Sequence, residues 1–187
     1  VNCKKLILSG CDLYKSQNME IDLSSIAKGY AVDIISDYLT NFGFSNHVVE
    51  IGGEVRVSGL HNGEMWVVGI TNPIRSDSLL TSISMTNKSV ASSGTYHNFF
   101  IRNGVKYSHI INPKTGYPIK VNTIGSTVIA DKCIDADALA TIAMLIPPIE
   151  CIKLFESLNV EGLIMSVNQT DSNMFYKTKG FDAYIKK

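Results

Sequence analysis

Apolar residues recur about every four positions along the first long regular stretch of the chain. The apolar positions between residues 25 and 42 are Ile26, Ala27, Tyr30, Ala31, Ile34, Ile35, Tyr38, Leu39 and Phe42. This spacing predicts an α-helix with an apolar face. Asp22, Ser24 and Ser25 provide capping oxygens at its start, and Gly43 is a residue type that commonly ends helices.

From about residue 47 to residue 130 the apolar period changes to two, which is typical of strands with one buried face. The segment HVVEIGGEVRVSG predicts two strands joined by a turn or bulge at Gly52 and Gly53. The segment NFFIRNGVKYSHI predicts a hairpin, because Asn103 and Gly104 favour a type I′ turn. SMTNKSVAS and STVIA predict further strands.

Two more helices are predicted near the end of the chain. The first covers about residues 135–146 and ends at Pro147 and Pro148, and the second covers residues 149–158. Two strands follow, GLIMSV and MFYKTKG, while two short extended pieces, residues 5–8 and 19–23, precede the first helix. Adjacent strands with short connections predict an α+β fold, a mainly antiparallel sheet with flanking helices, in a single domain over residues 1–187.

Composition and charge narrow the classes of partner. The chain is 45% hydrophobic and 18% charged, which is typical of a globular domain. Seventeen basic and seventeen acidic residues give a net charge of zero, so no electrostatic drive toward nucleic acid is expected. The longest apolar stretch, residues 138–149, is shorter than the about 20 residues of a bilayer span, so no transmembrane segment is predicted.

The first candidate site is the segment from Asp22 to Gly29. A helix that begins here directs free backbone N–H groups and the positive end of its dipole outward, and Lys28 lies in its first turn. A phosphate could therefore bind at this position. A capped amphipathic helix without any ligand explains the same residues.

The second candidate site is the segment from Asp135 to Thr141. Asp137 and Thr141 are four residues apart, so their oxygens lie on one helix face and could share a cation such as Mg²⁺. The alternative is structural: Asp135 caps the helix, Asp137 interacts with the helix dipole, and Thr141 bonds back to a carbonyl.

The third candidate site is the segment from Tyr107 to Gly116. Pro113 and Gly116 predict a tight turn directly after a strand, which places His109 near the strand end. A structural, hydrogen-bonded histidine is the alternative. Two further segments, residues 50–56 and 92–96, contain small residues that would let the backbone approach a ligand closely.

Together these segments resemble the ApbE family of FAD:protein FMN transferases. The matching segments, in family order from residue 21 to about 145, are IDLSSIAKGYAVD, VEIGGEVRVSG, SSGTYHNFF, YSHIINPKTGYPI and DADALATIAML. Two positions depart mildly from the family pattern, which usually has Thr at Ser92 and often Asp at Asn112.

The resemblance implies a Mg²⁺-dependent enzyme that transfers FMN from FAD to a Thr or Ser hydroxyl of a target flavoprotein and releases AMP. By residue match, it implies Ser25, Asp137, Ala140 and Thr141 as metal ligands, the first and third through backbone oxygens. It implies that Asp22, Lys28 and Ile111 contact FAD and that His109 is the catalytic base. These roles agree with the chemistry that the three candidate sites offer.

Other functions remain open at this point. An FAD pyrophosphatase, which would release FMN and AMP to water, needs the same metal site. A flavin-binding or scaffold domain without turnover is a third hypothesis. Family members usually carry a substantial segment before the residues matched by Ile21, so residues 1–187 are expected to be the C-terminal part of a longer architecture. The resemblance implies a periplasmic or membrane-attached location, with some members cytoplasmic, and the sequence does not decide between them.

Overall fold

The computed structural model describes residues 5–16, 18–75, 77–95, 99–102, 105–108, 110–112, 115–119, 122–168 and 172–186. The helices are α1 (Ala27–Asn41), α2 (Cys133–Ile142) and α3 (Pro148–Ser157), with a short 3₁₀ helix at Phe181–Ala183. The strands are β1 (Ile7–Ser9), β2 (Asp12–Tyr14), β3 (His47–Ile51), β4 (Glu54–Ser58), β5 (Trp66–Thr71), β6 (Leu79–Met85), β7 (Lys88–Gly94), β8 (Phe99–Arg102), β9 (Val105–Ser108), β10 (Thr123–Ala130), β11 (Glu161–Val167) and β12 (Asn173–Lys177).

A six-stranded antiparallel sheet in the order β12-β11-β10-β7-β4-β3 forms the centre of the described structure. Three antiparallel pairs accompany it, β1 with β2, β5 with β6, and β8 with β9. The predicted α+β class and mainly antiparallel pairing are confirmed. The apolar period of two predicted these strands because successive side chains of a strand point to opposite faces of the sheet and so enter two different environments.

Apolar side chains cover both faces of the central sheet. Val128 of β10 belongs to the buried cluster beneath α2 and α3, which also contains Leu139 and Phe155. Its neighbour Ile129 points the other way and joins the cluster formed with β5, β6 and Phe181. Successive residues of one strand thus enter two different cores, which is why β10 is buried along most of its length.

The apolar face predicted for α1 points largely away from the described core. Its exposed members are Tyr30, Ile34, Ile35, Tyr38 and Phe42, of which Tyr38 is 60% exposed. The buried side of α1 consists instead of Gly29, Val32, Asp33 and Ser36. An apolar face normally packs on the core, but α1 packs on α2 and β4 through small and polar side chains that can exchange hydrogen bonds there.

The structure corrects several of the predicted helix ends and caps. No side-chain cap bonds to the start of α1, so the predicted capping by Asp22, Ser24 or Ser25 is wrong. Helix α2 begins two residues earlier than predicted and follows Lys132, so Asp135 lies in its first turn and does not cap it. It also ends at Ile142, before the stop predicted at Pro147 and Pro148. The predicted stop at Gly43 is confirmed, since this residue follows the C-cap with a φ of 89°.

The start of the chain also differs from the prediction. Residues 19–23 form no strand, and the second strand is β2, which lies between the two predicted extended pieces. The tight turn of β1 and β2 forms at Gly10, whose φ is 60°. None of the described helices is long and apolar enough to span a bilayer.

Candidate functional site

Helices α1 and α2 meet at their N-terminal ends, and each receives a carboxylate from the other. The backbone N–H of Gly29 in α1 donates to Asp137 Oδ2 at 2.9 Å. In return, the N–H groups of Cys133 and Ile134 in α2 donate to Asp33 Oδ1 and Oδ2, each at 2.9 Å. The first turn of a helix leaves its N–H groups without intrahelical partners, so these two carboxylates do what local capping side chains would otherwise do.

Gly29 makes this junction possible because it carries no side chain. A Cβ at this position would lie 2.5 Å from the Cys133 carbonyl oxygen and 2.8 Å from Asp137 Cβ. The backbones of the two helices are therefore in direct contact. The glycine is required here for close approach between helices.

Asp137 is the most deeply buried of the predicted metal ligands that would bind through a side chain. Its side chain is buried, with 3% exposure. Burial raises the pKa of the Asp137 carboxyl, and the Gly29 N–H and the charge of Lys28 oppose that shift. The carboxylate needs positive charge nearby when it is ionised, and Oδ2 is already held by the backbone of α1.

Lys28 reaches back to the central sheet. Its Nζ lies 2.6 Å from Oε2 of Glu54, a β4 side chain that is only 2% exposed. Burial raises the pKa of Glu54, the ion pair with Lys28 opposes the shift, and the negative charge of Asp137 adds to it. The charge of Lys28 therefore acts on two buried carboxylates, Glu54 and Asp137.

Arg56 lies two residues after Glu54 on the same face of β4. Its guanidinium bonds to Asp33 Oδ1 at 2.7 Å and pairs with Asp37 Oδ1 at 3.0 Å. Glu54, Arg56 and Asp33 were not predicted as site residues. The sequence did contain a signal for them. Glu54 and Arg56 are charged residues at alternate positions of an otherwise apolar strand, and such residues require charged partners on the element that covers the strand.

Two serines from the sheet hold the ligand-bearing part of α2. The hydroxyl of buried Ser126 on β10 donates to the Ala140 carbonyl at 2.7 Å. Ser93 Oγ on β7 lies 3.4 Å from Thr141 Oγ1. The sequence marked Ser93 only for its small size, whereas the structure adds a hydroxyl contact with a predicted metal ligand.

The remaining predicted residues lie further out. Asp22 is exposed, and its Oδ1 accepts a hydrogen bond from the Ser24 N–H at 2.8 Å, which lowers the pKa of Asp22. Ser25 is half-buried just before α1. Ile111 is exposed and forms a bridge with Pro118. Within the described ranges, neither Asp22 nor Ile111 makes a hydrogen bond or ion pair with α1 or α2.

His109 lies outside the described residues, so its predicted role as a base stays a prediction. The turn expected after it is supported by its flanking residues. The N–H groups of Thr115 and Gly116 donate to the Asn112 carbonyl at 3.2 and 2.8 Å, and Gly116 has a φ of 72°. Strand β9 ends at Ser108, directly before His109.

The donors gathered on α2 are suited to a hard cation. Asp137 offers a carboxylate oxygen, Thr141 a hydroxyl, and Ala140 a carbonyl whose oxygen has a second lone pair beside its bond to Ser126. Oxygen donors of these kinds fit Mg²⁺. In the part of the chain that the structure describes, no three His, Cys, Asp or Glu side chains are grouped to hold a metal. Besides Asp137, any metal here would therefore rely on hydroxyl and carbonyl oxygens.

Comparison with known proteins supports the resemblance read from the sequence. The model of the ApbE family matches residues 1–164. The FAD:protein FMN transferase of Vibrio cholerae is 37% identical over 185 residues, which cover 97% of this chain and 55% of the relative. The enzyme of the same name from Escherichia coli K12 is 31% identical over 173 residues, which cover 90% and 48%.

Solved structures have the same fold. The flavin transferase ApbE of Vibrio cholerae matches with a TM-score of 0.84 at 34% identity, over 98% of this chain and 59% of that one. The ApbE protein of Thermotoga maritima matches with a TM-score of 0.87 at 29% identity, over 100% and 60%. The 187-residue chain thus spans about half the length of the curated relatives it matches.

Proposed function

The chain belongs to the ApbE family, and on that basis we propose that it acts in the transfer of FMN from FAD to a Thr or Ser hydroxyl of a target flavoprotein. In this reaction the acceptor oxygen attacks the phosphorus of the FMN moiety. A new phosphoester bond forms, the phosphoanhydride bond to AMP breaks, and AMP leaves. The proton of the acceptor hydroxyl passes to a base.

One observation carries the proposal most strongly. Asp137 is buried, its Oδ2 is held by the Gly29 N–H, and the charge of Lys28, the residue before Gly29, acts on it. A buried carboxylate at a helix N-terminus next to a lysine brings a cation ligand and anion-binding groups to one place. Cleavage of a pyrophosphate needs both.

The proposed roles combine this placement with the family resemblance. Asp137, Thr141 and the carbonyls of Ala140 and Ser25 hold Mg²⁺, which when bound neutralises charge on the pyrophosphate. Lys28 provides a second positive charge for the phosphates, and buried Glu54 restrains its side chain. Asp22 and Ile111 contact FAD at the exposed rim, and His109 accepts the proton of the acceptor hydroxyl.

The test compares the chain with a hybrid protein. In the hybrid, residues 1–187 replace the matched 55% of the Vibrio cholerae relative, so that the rest of the family architecture is supplied. The hybrid is incubated with FAD, Mg²⁺ and a flavoprotein acceptor. We expect flavin fluorescence on the acceptor in a denaturing gel, together with an equal amount of AMP.

A matched pair of variants identifies the site. Asp137→Asn should abolish transfer, whereas Asp135→Asn, an exposed position in the first turn of the same helix, should keep it. Release of AMP without labelled acceptor would replace the transferase by an FAD pyrophosphatase. Absence of both products from the hybrid would leave a non-catalytic scaffold and contradict the proposal.

A further inference from the structure

The exchange of carboxylates between α1 and α2 is symmetric in sequence spacing. Asp33 stands four residues after Gly29 in α1, and Asp137 stands four residues after Cys133 in α2. Each carboxylate therefore lies one turn beyond the N–H group that the opposite carboxylate binds. Neither helix has a capping side chain of its own, so each helix start depends on the other helix.

Asp33 is committed to this junction through both of its oxygens. Oδ1 accepts from Cys133 N–H and from Arg56, while Oδ2 accepts from Ile134 N–H. The residue is 6% exposed, and Arg56 supplies the positive charge that a buried carboxylate requires. The start of α2 is thus attached to α1 by two hydrogen bonds to one charged group.

The orientation of Asp137 depends on this attachment. Its Oδ2 meets the Gly29 N–H only while the two helix starts remain at backbone contact distance, as the space around Gly29 shows. A carboxylate with one oxygen held in this way presents the other oxygen in a defined direction. Loss of the bonds from Asp33 would let the start of α2 move and would release that constraint.

We propose that Asp33 is a positioning residue for the metal ligand Asp137. Asp33 does not touch a metal or substrate itself, and it acts by holding α2 against α1 so that Asp137 is preorganised. The inference rests on the proposed function, since it assigns Asp33 a role toward the same cation. Groups that orient ligands without contacting the metal change metal affinity by roughly 10- to 100-fold.

The test measures Mg²⁺ affinity of the 187-residue chain by calorimetric titration with MgCl₂. Asp33→Asn keeps the shape but turns one acceptor into an NH₂ group, which cannot accept from an α2 N–H. We expect about 10-fold weaker Mg²⁺ binding. Asp37→Asn is the matched control, because Asp37 pairs with the same Arg56 but is 58% exposed and makes no bond to α2 among the described contacts. It should bind Mg²⁺ as the unchanged chain does.

Two further variants separate positioning from stability. Ile83→Ala opens a cavity in the cluster beneath β5 and β6, so it should lower the melting temperature without changing Mg²⁺ affinity. Asp137→Asn should weaken Mg²⁺ binding, and adding Asp33→Asn to it should cause no further loss, because Asp33 acts on Mg²⁺ only through the carboxylate that Asp137→Asn has already removed. If Asp33→Asn weakened Mg²⁺ binding in the Asp137→Asn background as much as it does alone, the inference would be overturned.

The outcomes distinguish this inference from the proposed function. If Asp137→Asn binds Mg²⁺ as well as the unchanged chain, the metal assignment fails and the inference fails with it. If Asp137→Asn weakens binding but Asp33→Asn does not, the inference alone is wrong. Hydrogen exchange gives an independent readout. The Cys133 and Ile134 amides should exchange faster in Asp33→Asn than in the unchanged chain, and at the unchanged rate in Asp37→Asn. Equal exchange rates in the two variants would show that the bonds to Asp33 do not hold α2.

Discussion

At the scale of single residues, the candidate site concentrates buried charge. Glu54 and Asp137 are both nearly inaccessible, and burial raises the pKa of each carboxyl. Lys28 partly compensates these charges from a position that is itself 46% exposed. A protein keeps such groups at a cost in stability, which is typical of sites where charge is needed for binding or chemistry.

The Glu54 carboxyl leads to a prediction about pH. Because the pKa of Glu54 is raised in the folded chain, its contribution to stability is fully present below about pH 4.5, the ordinary value, and is lost as pH rises through the folded pKa. Replacement by Gln removes this dependence. The stability of Glu54→Gln relative to the unchanged chain should therefore improve between pH 4.5 and pH 7.5, as measured by urea unfolding at several pH values. A constant difference across that range would contradict the buried-charge interpretation.

His109 carries the second prediction at this scale. As the proposed base, it should contribute roughly 10²- to 10⁴-fold to the rate of flavin transfer, so His109→Ala in the hybrid protein should lose that factor. His61, which stacks on Trp66 with ring centroids 4.8 Å apart, provides a control histidine, and His61→Ala should keep the rate. Transfer by His109→Ala at nearly the original rate would make His109 a structural residue.

At the scale of elements, the contact between α1 and α2 decides the geometry of the site. It consists of a glycine, two exchanged carboxylates and few apolar side chains. Such a contact is short and directional, in contrast to the apolar packing of α3 on the sheet through Phe155. Small substitutions at this contact should therefore change the positions of the predicted metal ligands before they unfold the chain.

Gly29→Ala tests this directly. The added Cβ would meet the Cys133 backbone, which cannot move aside as a flexible side chain can. We expect a loss of about 1–3 kcal/mol in unfolding free energy together with weaker Mg²⁺ binding. Gly69→Ala is the control, because its Cβ would meet only the tip of exposed Leu79. Equal effects of the two substitutions on Mg²⁺ binding would show that the helix contact does not govern the site.

At the scale of the whole molecule, the chain contains the segments proposed to bind metal and phosphate, while its length is about half that of the curated relatives. The described part of the chain also leaves the apolar side of α1 exposed. Binding of a dinucleotide draws much of its affinity from apolar and stacking contacts, whereas the charged pyrophosphate loses hydration and contributes less net.

The 187 residues alone should therefore bind FAD much more weakly than the Vibrio cholerae relative and transfer little or no flavin. Calorimetric titration with FAD in the presence of Mg²⁺ measures this, with the hybrid protein as the comparison. The hybrid should recover most of the lost affinity. Tight binding by the 187-residue chain alone would show that these residues already form a complete flavin pocket.

Much of the fold could be predicted from the sequence because local patterns carry it. The period of two predicted β3, β4 and the pairs around them. The prolines at 147 and 148 predicted a break before α3, which begins at Pro148, although α2 already ends at Ile142. The spacing of Asp137 and Thr141 predicted that both lie on one helix, and the order of the five segments identified the family. These features depend on residues close together in the chain or on a motif order that tertiary contacts do not alter.

Only the tertiary structure decided which face of α1 is buried and which groups cap the helices. The bond from Gly29 to Asp137 joins residues 108 apart, and the bond from Cys133 to Asp33 joins residues 100 apart. No local pattern encodes such a pair, because the energy of a buried carboxylate depends on the donors and charges that folding brings to it. The sequence by itself therefore determined the family, most of the elements and the candidate ligands, and the packing of α1 on α2 and β4 determined how Asp137, Lys28 and their partners are held.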